Sequence, residues 1–419
     1  MKIHNKLKHK IKKAVKNIKN MKVTSQLDSV LYMLGPLFLV ENLFGKFRYR
    51  KVSGNIDLLN KTMKCYSIFT MLVPVAAYMI IFAYTVMYKT FTDTYDIVDK
   101  VDAISSMLAA IQYITSTALF LYYTENHVRI IKLIVHVDDI LNISNNKQTY
   151  RDSRRYIQIS ISLLIFIYVL LGIYTLTMSD SDKPLVSRII LIFIDFERHL
   201  EVFSFYIFIK TITDRLGVVN SLLEQVIKIK YQSNVLDIPV SDLRTQIDLI
   251  NIRCAVNNYS ITHTLANSYD LIGEACNEIN KVFKFHIFRA LFTTFLYILI
   301  AIWVSIYDIG SALGTSVSLA QMIFICLFEI FSVGLMSYTC EILLLKRNLT
   351  KVLVNELVMD YSLTRQIRTQ AKAFMELIDV WSLQIYAYDM ITIDIKLILK
   401  FISVSTTYLI VIIQLSHFF

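Results

Sequence analysis

Polar side chains recur along one face of the last apolar segment, and their types suit contact with ions. At 100° per residue, spacings of four and three put six residues on one narrow face: Lys396, Lys400, Ser403, Thr407, Ile410 and Gln414. A ring of Gln carbonyls can replace part of a cation's water shell, and a ring of Ile can close by dewetting. This face therefore suits the lining of a pore. A seam between two helices would use the same Ser, Thr and Gln residues.

A second polar group lies in the middle of another apolar segment: Asp195, Glu197, Arg198, His199 and Glu201. Each charge costs about 2.5 to 3.5 kcal/mol at the centre of a membrane helix, so these side chains must face protein or water. The i,i+3 spacing predicts that Arg198 pairs with Asp195 and with Glu201. Two interpretations stay open: a salt-bridge network that braces a helix bundle, or the polar floor of a ligand pocket.

Further candidates for a pocket are aromatic rings that would stack on a ligand, and amides or acids that would orient it. They are Gln112, Tyr113, Tyr168, Tyr174, Gln321 and Glu329. Glu329 needs a partner because it lies in mid-span, and Arg198 is the expected one. Ordinary packing explains each of the others as well.

These residues require a membrane helix bundle to position them. The 419 residues are 55% hydrophobic and 18% charged, which argues against an ordinary globular enzyme, and 25 Tyr with 25 Phe argue against disorder. A bilayer needs about 20 apolar helical residues per span. Seven stretches satisfy this length: Ser67–Tyr88, Ala103–Tyr123, Ile157–Met178, Val186–Ile209, Ile287–Tyr307, Val317–Leu345 and Ile395–Leu415. The predicted fold class is all-α, with seven transmembrane helices.

Basic residues give the orientation, because Lys and Arg accumulate on the cytoplasmic side. Of 43 Lys and Arg, 35 lie in the N-terminal region and alternate links, and four lie in the other links. The N-terminus is therefore predicted inside and the C-terminus outside. The four glycosylation sequons, at Asn60, Asn142, Asn258 and Asn348, all fall on the predicted inner side. The positive charge is an orientation signal that lies near lipid headgroups, and it needs no nucleic acid.

The predicted organisation follows from these spans and links. It comprises a cytoplasmic basic region (1–66), spans 1 to 4 (67–209), a cytosolic helical link (210–286), spans 5 and 6 (287–345), a cytosolic link with an amphipathic helix (346–394), span 7 (395–415) and an extracellular tail (416–419). Apolar residues spaced three and four apart predict a helix over Ala255–Phe285 that runs into span 5. A similar stripe predicts a helix entering span 7: Ile367, Ala371, Phe374, Ile378, Trp381 and Ile385. Both helices suit packing on each other or on neighbouring subunits, or lying on headgroups.

The end of the chain carries a family signature. Thr407, Tyr408, five apolar residues, Gln414 and Leu415 resemble the TYhhhhhQF signature of insect gustatory receptors, with Leu415 in place of Phe. Ala387, Asp389 and Asp394 on the approach to span 7 are similar to the family's pattern. The seven-span, N-inside layout extends the resemblance to the whole chain.

That resemblance implies a tastant-gated, non-selective cation channel in the plasma membrane of chemosensory neurons. Four subunits, identical or mixed with other gustatory receptors, would surround one pore lined by the last helix. Gln414 would lie at the narrow outer part, and Thr407 and Tyr408 would pack the helix and couple it to gating. The ligand, a sugar or plant secondary compound, would bind in the outer half among spans 2, 3, 4 and 6. Leu409 stands where sugar receptors tend to have Glu, which argues against a general sugar receptor.

Other functional classes are less well supported by the sequence. An odorant-type receptor of the same superfamily shares the layout but lacks the Gln signature. A secondary transporter using the span 4 charges would be expected to show repeated halves and Gly-broken helices, whereas the chain has only nine Gly. The GxSxG, HExxH and Walker motifs are absent, so the sequence predicts neither an enzyme nor a cofactor or metal site.

Overall fold

The structure, a computed structural model, describes residues 26–91, 97–143, 147–177, 185–235, 244–310, 316–361 and 363–416. In this part of the chain nearly all residues are helical. Residues 26–43 are helical (α1), and the other helices are α2 (Lys61–Phe91), α3 (Ile97–Tyr122), α4 (Thr124–Ile140), α5 (Lys147–Thr177), α6 (Leu185–Val235), α7 (Arg244–Gly310), α8 (Ser316–Met359), α9 (Arg365–Val380) and α10 (Lys396–Ser416). Two antiparallel hairpins complete the fold: β1 (Arg50–Val52) with β2 (Asn55–Asp57), and β3 (Tyr386–Ala387) with β4 (Ile391–Thr392).

Each predicted span lies within a helix, to within one residue at its ends, as far as the structure describes it. Among the described residues, four helical segments are long and apolar enough to cross a bilayer: Lys61–Met87, Gln148–Tyr174, Ile261–Ile300 and Cys326–Met359. Ser106–Tyr122 is apolar but shorter. The charges from Asp195 to Glu201 interrupt the apolar run of α6. The chain is thus a helical membrane protein.

Three helices are much longer than a membrane span. With 51, 67 and 44 residues, α6, α7 and α8 exceed the roughly 20 residues that a bilayer needs, so each extends well beyond it. The prediction that the helix over Ala255–Phe285 runs directly into span 5 is confirmed by the unbroken α7. The main core lies where these long helices pack on each other and on α1, α4 and α9.

The predicted helix entering span 7 is partly wrong. The apolar face of α9 is buried at Ile367, Ala371, Phe374 and Ile378, as expected, but the helix ends at Val380 and the β3–β4 hairpin intervenes before α10. Trp381 adopts an extended conformation, and its indole Nε1 donates to Asp270 Oδ1 at 2.7 Å. This tertiary bond and a sharp turn with positive φ at Tyr388 and Asp389 end the helical path.

The packed α1 helix is a feature that the sequence patterns did not predict. The predicted basic arm begins in residues 1–25, which lie outside the described residues. In α1, apolar side chains including Val30, Leu34 and Leu37 are fully buried in the core. The chain then turns at Gly45, where φ is 75° and a Cβ would overlap Thr70 Oγ1. This turn directs Lys46 and Arg48 into the bundle.

Candidate functional site

The charged residues of α6 divide between two networks on different sides of the helix. Asp195, Arg198 and His199 lie within one arc, whereas Glu197 and Glu201 lie across the helix from His199. We call the first network the Arg198 cluster (Asp195, Arg198, His199, Glu329 and Tyr168). We call the second the Lys46 cluster (Lys46, Arg48, Glu41, Glu197, Glu201 and Arg289). The sequence predicted a single polar arc because it does not show which helices flank α6.

Arg198 joins α6 to α8 in the first cluster. Its Nη1 donates to Glu329 Oε2 at 2.8 Å, a second bond connects Nη2 to the other carboxylate oxygen, and Nη2 also donates to Asp195 Oδ1 at 2.6 Å. The expected pairs of Arg198 with Asp195 and Glu329 are therefore present. Thr294 of α7 adds a bond from Oγ1 to Glu329 Oε2 at 3.1 Å. Glu329 is 1% exposed, whereas the Asp195 side chain remains 30% exposed.

His199 is the remaining member of the cluster, and only one of its two ring nitrogens has a hydrogen-bond partner among the described residues. Its Nδ1 lies 2.5 Å from the Tyr168 hydroxyl, which also donates to the Asp195 carbonyl at 3.1 Å. The buried Nε2 has no hydrogen-bond partner among the described residues and lies 3.5 Å from Glu329 Oε1. Donor atoms of Asp195, His199 and Glu329 lie within 4.8 Å of one another, a spacing that a metal ion would need. The Arg198 guanidinium already occupies both carboxylates, so a metal would have to displace it.

The Lys46 cluster connects the segment after α1 to α6, and α6 to α7. Lys46 Nζ forms ion pairs with Glu197 and Glu201. Arg48 binds Glu41 through two nitrogen atoms, at 2.7 and 2.6 Å. The predicted pairing of Arg198 with Glu201 is wrong, because Glu201 turns toward Lys46 and lies 3.8 Å from Arg48. Glu197, a predicted ligand contact, likewise points away from the Arg198 cluster and accepts bonds from Ser116 and Arg289.

Two cavities adjoin the Arg198 cluster. One, about 200 Å³, lies between α5, α6 and α8, and its wall includes His199, Phe203, Tyr206, Phe328 and Phe331. The other, about 280 Å³, lies between α3 and α7 and is lined by Gln112, Thr293 and Tyr297 among apolar residues. The Tyr297 ring centroid is 5.7 Å from Arg198 Cζ, so the cluster is in contact with the lining of both cavities. A third cavity, about 560 Å³ between α1, β2 and α4, is distant in the fold from these charges.

The other predicted pocket residues have different surroundings. Tyr113 is 1% exposed and donates to the Thr70 carbonyl at 3.2 Å, so it packs α3 against α2. Gln112 Oε1 accepts a bond from Thr293 at 3.1 Å at the α3–α7 cavity. Tyr174 is half-buried near the end of α5. The side chain of Gln321 lies outside the described residues.

The predicted polar face of α10 is exposed on the single chain. Ser403, Thr407, Ile410 and Gln414 all lie on it, and the side chain of Leu415 lies outside the described residues. The helix contacts the chain on another side. There Tyr408 packs edge-on against Phe295 of α7, with ring centroids 5.3 Å apart. Phe295 directly follows Thr294, which bonds Glu329, so neighbouring residues of α7 contact the Arg198 cluster and α10.

Comparison with known proteins is consistent with this architecture. No curated protein sequence matches the chain significantly. The sequence profile described as "7tm Chemosensory receptor" matches residues 34–416, which includes α10 and the second half of α1. Because that match covers nearly the whole chain, this helical membrane protein belongs to the 7tm chemosensory receptor family.

Proposed function

We propose that this chemoreceptor is of the gustatory type and works as a ligand-gated, non-selective cation channel. Four copies, or copies mixed with other receptors of this type, surround a pore lined by α10. The chain crosses the plasma membrane of chemosensory neurons seven times, with its N-terminus and long helical extensions inside and its last residues outside. The protein signals by passing ions and performs no catalysis. A small-molecule tastant is its ligand.

The observation that carries this proposal is the exposure of the α10 polar face. Polar residues of a membrane helix are expected to face protein or water. Within one chain, Ser403, Thr407 and Gln414 are exposed although α10 packs on α7 through its other side. A water-filled pore along an axis shared with other subunits would hydrate these polar side chains. The Thr407, Tyr408 and Gln414 signature favours the gustatory over the odorant type.

The ligand site is proposed beside the Arg198 cluster, with Asp195, Arg198, His199 and Glu329 as the polar residues and Gln112 at the second cavity. Glu197 and Tyr113 are left out because their contacts serve packing and charge pairing. On the predicted orientation, the α5–α6–α8 cavity extends from mid-span toward the inner half of the bundle. This position differs from the ligand pocket that the sequence predicted in the outer half of the bundle. The α3–α7 cavity lies closer to the predicted outer side.

Current recording from oocytes that express only this chain tests the proposal. We expect a panel of sugars and plant secondary compounds to include one that evokes a cation current within milliseconds to seconds. The current should persist when G-protein signalling is blocked, because the receptor itself conducts. A response that disappears under the block would contradict the channel mechanism.

The role of Gln414 has a separate test. Replacing Gln414 with Ala should change the relative permeabilities of Na⁺, K⁺ and Ca²⁺ or the single-channel conductance, since the amide carbonyl would no longer coordinate the ion. Thr406→Ala is the matched control, because Thr406 is exposed on another side of α10 and bonds the Ile402 carbonyl. Unchanged permeability and conductance in Gln414→Ala would remove this residue from the ion path.

A further inference from the structure

We propose that the Arg198 cluster binds a small organic monocation, such as a protonated aryl-alkylamine, in the α5–α6–α8 cavity. This inference rests on the proposed function for its role in gating, because it names the ligand class of the proposed site. It depends on three properties of the cluster: its net charge, an unused hydrogen-bonding position and the aromatic wall beside it.

The charge of the cluster is not balanced by its own residues. Asp195 and Glu329 contribute two negative charges and Arg198 contributes one positive charge. With His199 neutral, one negative charge remains. The Lys46 cluster is different, because its three bases match its three acids. Water screens part of this charge, because the Asp195 side chain is 30% exposed, and the unscreened remainder favours a ligand that brings one positive charge.

His199 offers a position for the ligand's nitrogen. His199 Nδ1 also lies 3.1 Å from the Asp195 carbonyl, which can only accept, so in this bond Nδ1 carries the proton and Nε2 has a free lone pair. Nε2 is buried and has no hydrogen-bond partner among the described residues, although His199 lines the cavity. An ammonium group bonded to Nε2 would lie close to Glu329, whose Oε1 is 3.5 Å from that atom.

The cavity wall suits an aromatic or apolar body attached to the cation. Phe203, Tyr206, Phe328 and Phe331 all line it, and the Phe328 ring centroid is 4.7 Å from that of His199. Aromatic faces attract cations, more strongly when both are desolvated. An engineered cavity of about 150 Å³ holds benzene. A volume of about 200 Å³ therefore fits one ring with a short side chain.

A divalent metal ion suits the site less well. Arg198 bonds both carboxylates that would ligate the metal, so binding would release a buried guanidinium. A monocation leaves these bonds intact and neutralises the single excess charge.

Thermal unfolding of the full chain in lipid nanodiscs at pH 7.5 tests the inference without depending on channel activity. The probes are phenethylamine, its neutral counterpart 2-phenylethanol, and ZnCl₂. We expect phenethylamine to raise the melting temperature through selective binding to the folded state, and 2-phenylethanol to raise it at least about tenfold less potently.

Variants of Asp195 connect this binding to the cluster charge. Asp195→Asn removes the excess charge but keeps the Arg198–Glu329 pair, and should weaken phenethylamine binding about tenfold or more. Asp195→Glu keeps the negative charge and should retain most of the affinity for phenethylamine. Asp214→Asn is the matched control on the same helix, because Asp214 pairs with Lys210 outside the cluster and should not alter binding.

The outcomes separate this inference from the proposed function. Equal binding of the amine and the alcohol, no amine binding, unchanged affinity in Asp195→Asn, or stabilisation by Zn²⁺ alone would overturn the monocation assignment. Currents evoked only by neutral compounds would keep the channel proposal and reject this inference. Amine binding without any current would support the site and contradict the channel.

Discussion

At the residue scale, the otherwise apolar interior of this protein contains several buried ion pairs. A buried pair is not by itself strong evidence for stability, because removing two charges from water costs about as much as their attraction returns. Breaking one is different, since the partner stays buried without compensation. Lys46 is the sharpest case, because one ammonium group faces two carboxylates and is 1% exposed.

We therefore predict that Lys46→Met destabilises the receptor by about 3 to 5 kcal/mol, because Glu197 and Glu201 would lose their shared cation. The measurement is the melting temperature of the purified protein together with the fraction that reaches the cell surface. Lys51→Met is the control, because Lys51 pairs with Asp28 at the surface, where a pair is worth about 0 to 1 kcal/mol. Equal stability of the two variants would show that the Lys46 pairs are not needed for folding.

At the scale of elements, the contact between α7 and the segment after α9 depends on one glycine. A Cβ at Gly273 would lie 2.8 Å from Trp381 Cδ1 and closer still to Cγ, at the rigid base of the indole. Trp381 is fixed there by its bond to Asp270 and by the Tyr269 hydroxyl, which donates to the Trp381 carbonyl at 2.9 Å. The helix can thus pass this close only without a side chain.

We predict that Gly273→Ala destabilises the protein by about 1 to 3 kcal/mol, as expected for overpacking that forces a side chain from its position. A red shift of the Trp emission, as the partly buried Trp381 ring becomes more exposed to water, should accompany the lower melting temperature. Gly172→Ala is the matched control in α5, where a Cβ meets no atom within 4 Å. It should be neutral or stabilising, because Ala favours helix. A Gly273→Ala protein as stable as Gly172→Ala would contradict the contact.

Hydrophobic periodicity predicted the helical elements well, because the residues of a helix that face the protein core recur every third or fourth position. The α7 extension and the buried stripe of α9 followed from it. The end of α9 did not, because the Trp381–Asp270 bond joins residues 111 positions apart. Asp389 and Tyr388 offered only a weak turn signal, since neither is glycine.

The candidate site was predictable only in part, for the same reason. Arg198 with Asp195 followed from helical spacing, and Glu329 followed from the need of a mid-span acid for a cation. The Lys46 cluster was missed because its partners are about 150 residues apart and Lys46 lies in a stretch that reads as a basic cytoplasmic arm. A warning signal was present, since this segment of α6 has three acids and a single Arg, so that two carboxylates need cations from elsewhere in the chain.

At the scale of the whole molecule, the orientation decides which surfaces meet ligand and which meet cytoplasm. We predict that an epitope tag before Met1 is stained only after cells are permeabilised, whereas a tag after Phe419 is stained on intact cells, because basic residues keep their links inside. Asn142 and Asn348 are exposed sequons on the predicted inner side and should stay unglycosylated. A mobility shift on glycosidase treatment, or surface staining of the first tag, would overturn the orientation.

We predict that α7 transmits ligand binding from the Arg198 cluster to the proposed pore helix α10. Thr294 bonds Glu329 in the Arg198 cluster, and the next residue, Phe295, packs against Tyr408 and Phe401 of α10. A shift of α8 or α6 on ligand binding would therefore act on α7 at the point where α7 contacts α10, the proposed pore helix. A ligand can bias this equilibrium only by its different affinity for the two states.

Phe295→Leu should reduce the aromatic contact with Tyr408 and raise the half-maximal agonist concentration for current about fivefold or more, while the ligand-induced thermal shift stays near the wild-type value. Phe292→Leu is the control, because Phe292 stacks on Phe288 one turn away and is 40% exposed. Equal loss of binding and current in Phe295→Leu would place this residue in the ligand site. Unchanged current would show that coupling from the Arg198 cluster to α10 follows another contact, with Glu341 of α8 and the Ile395 amide, 3.3 Å apart, as the next contact to test.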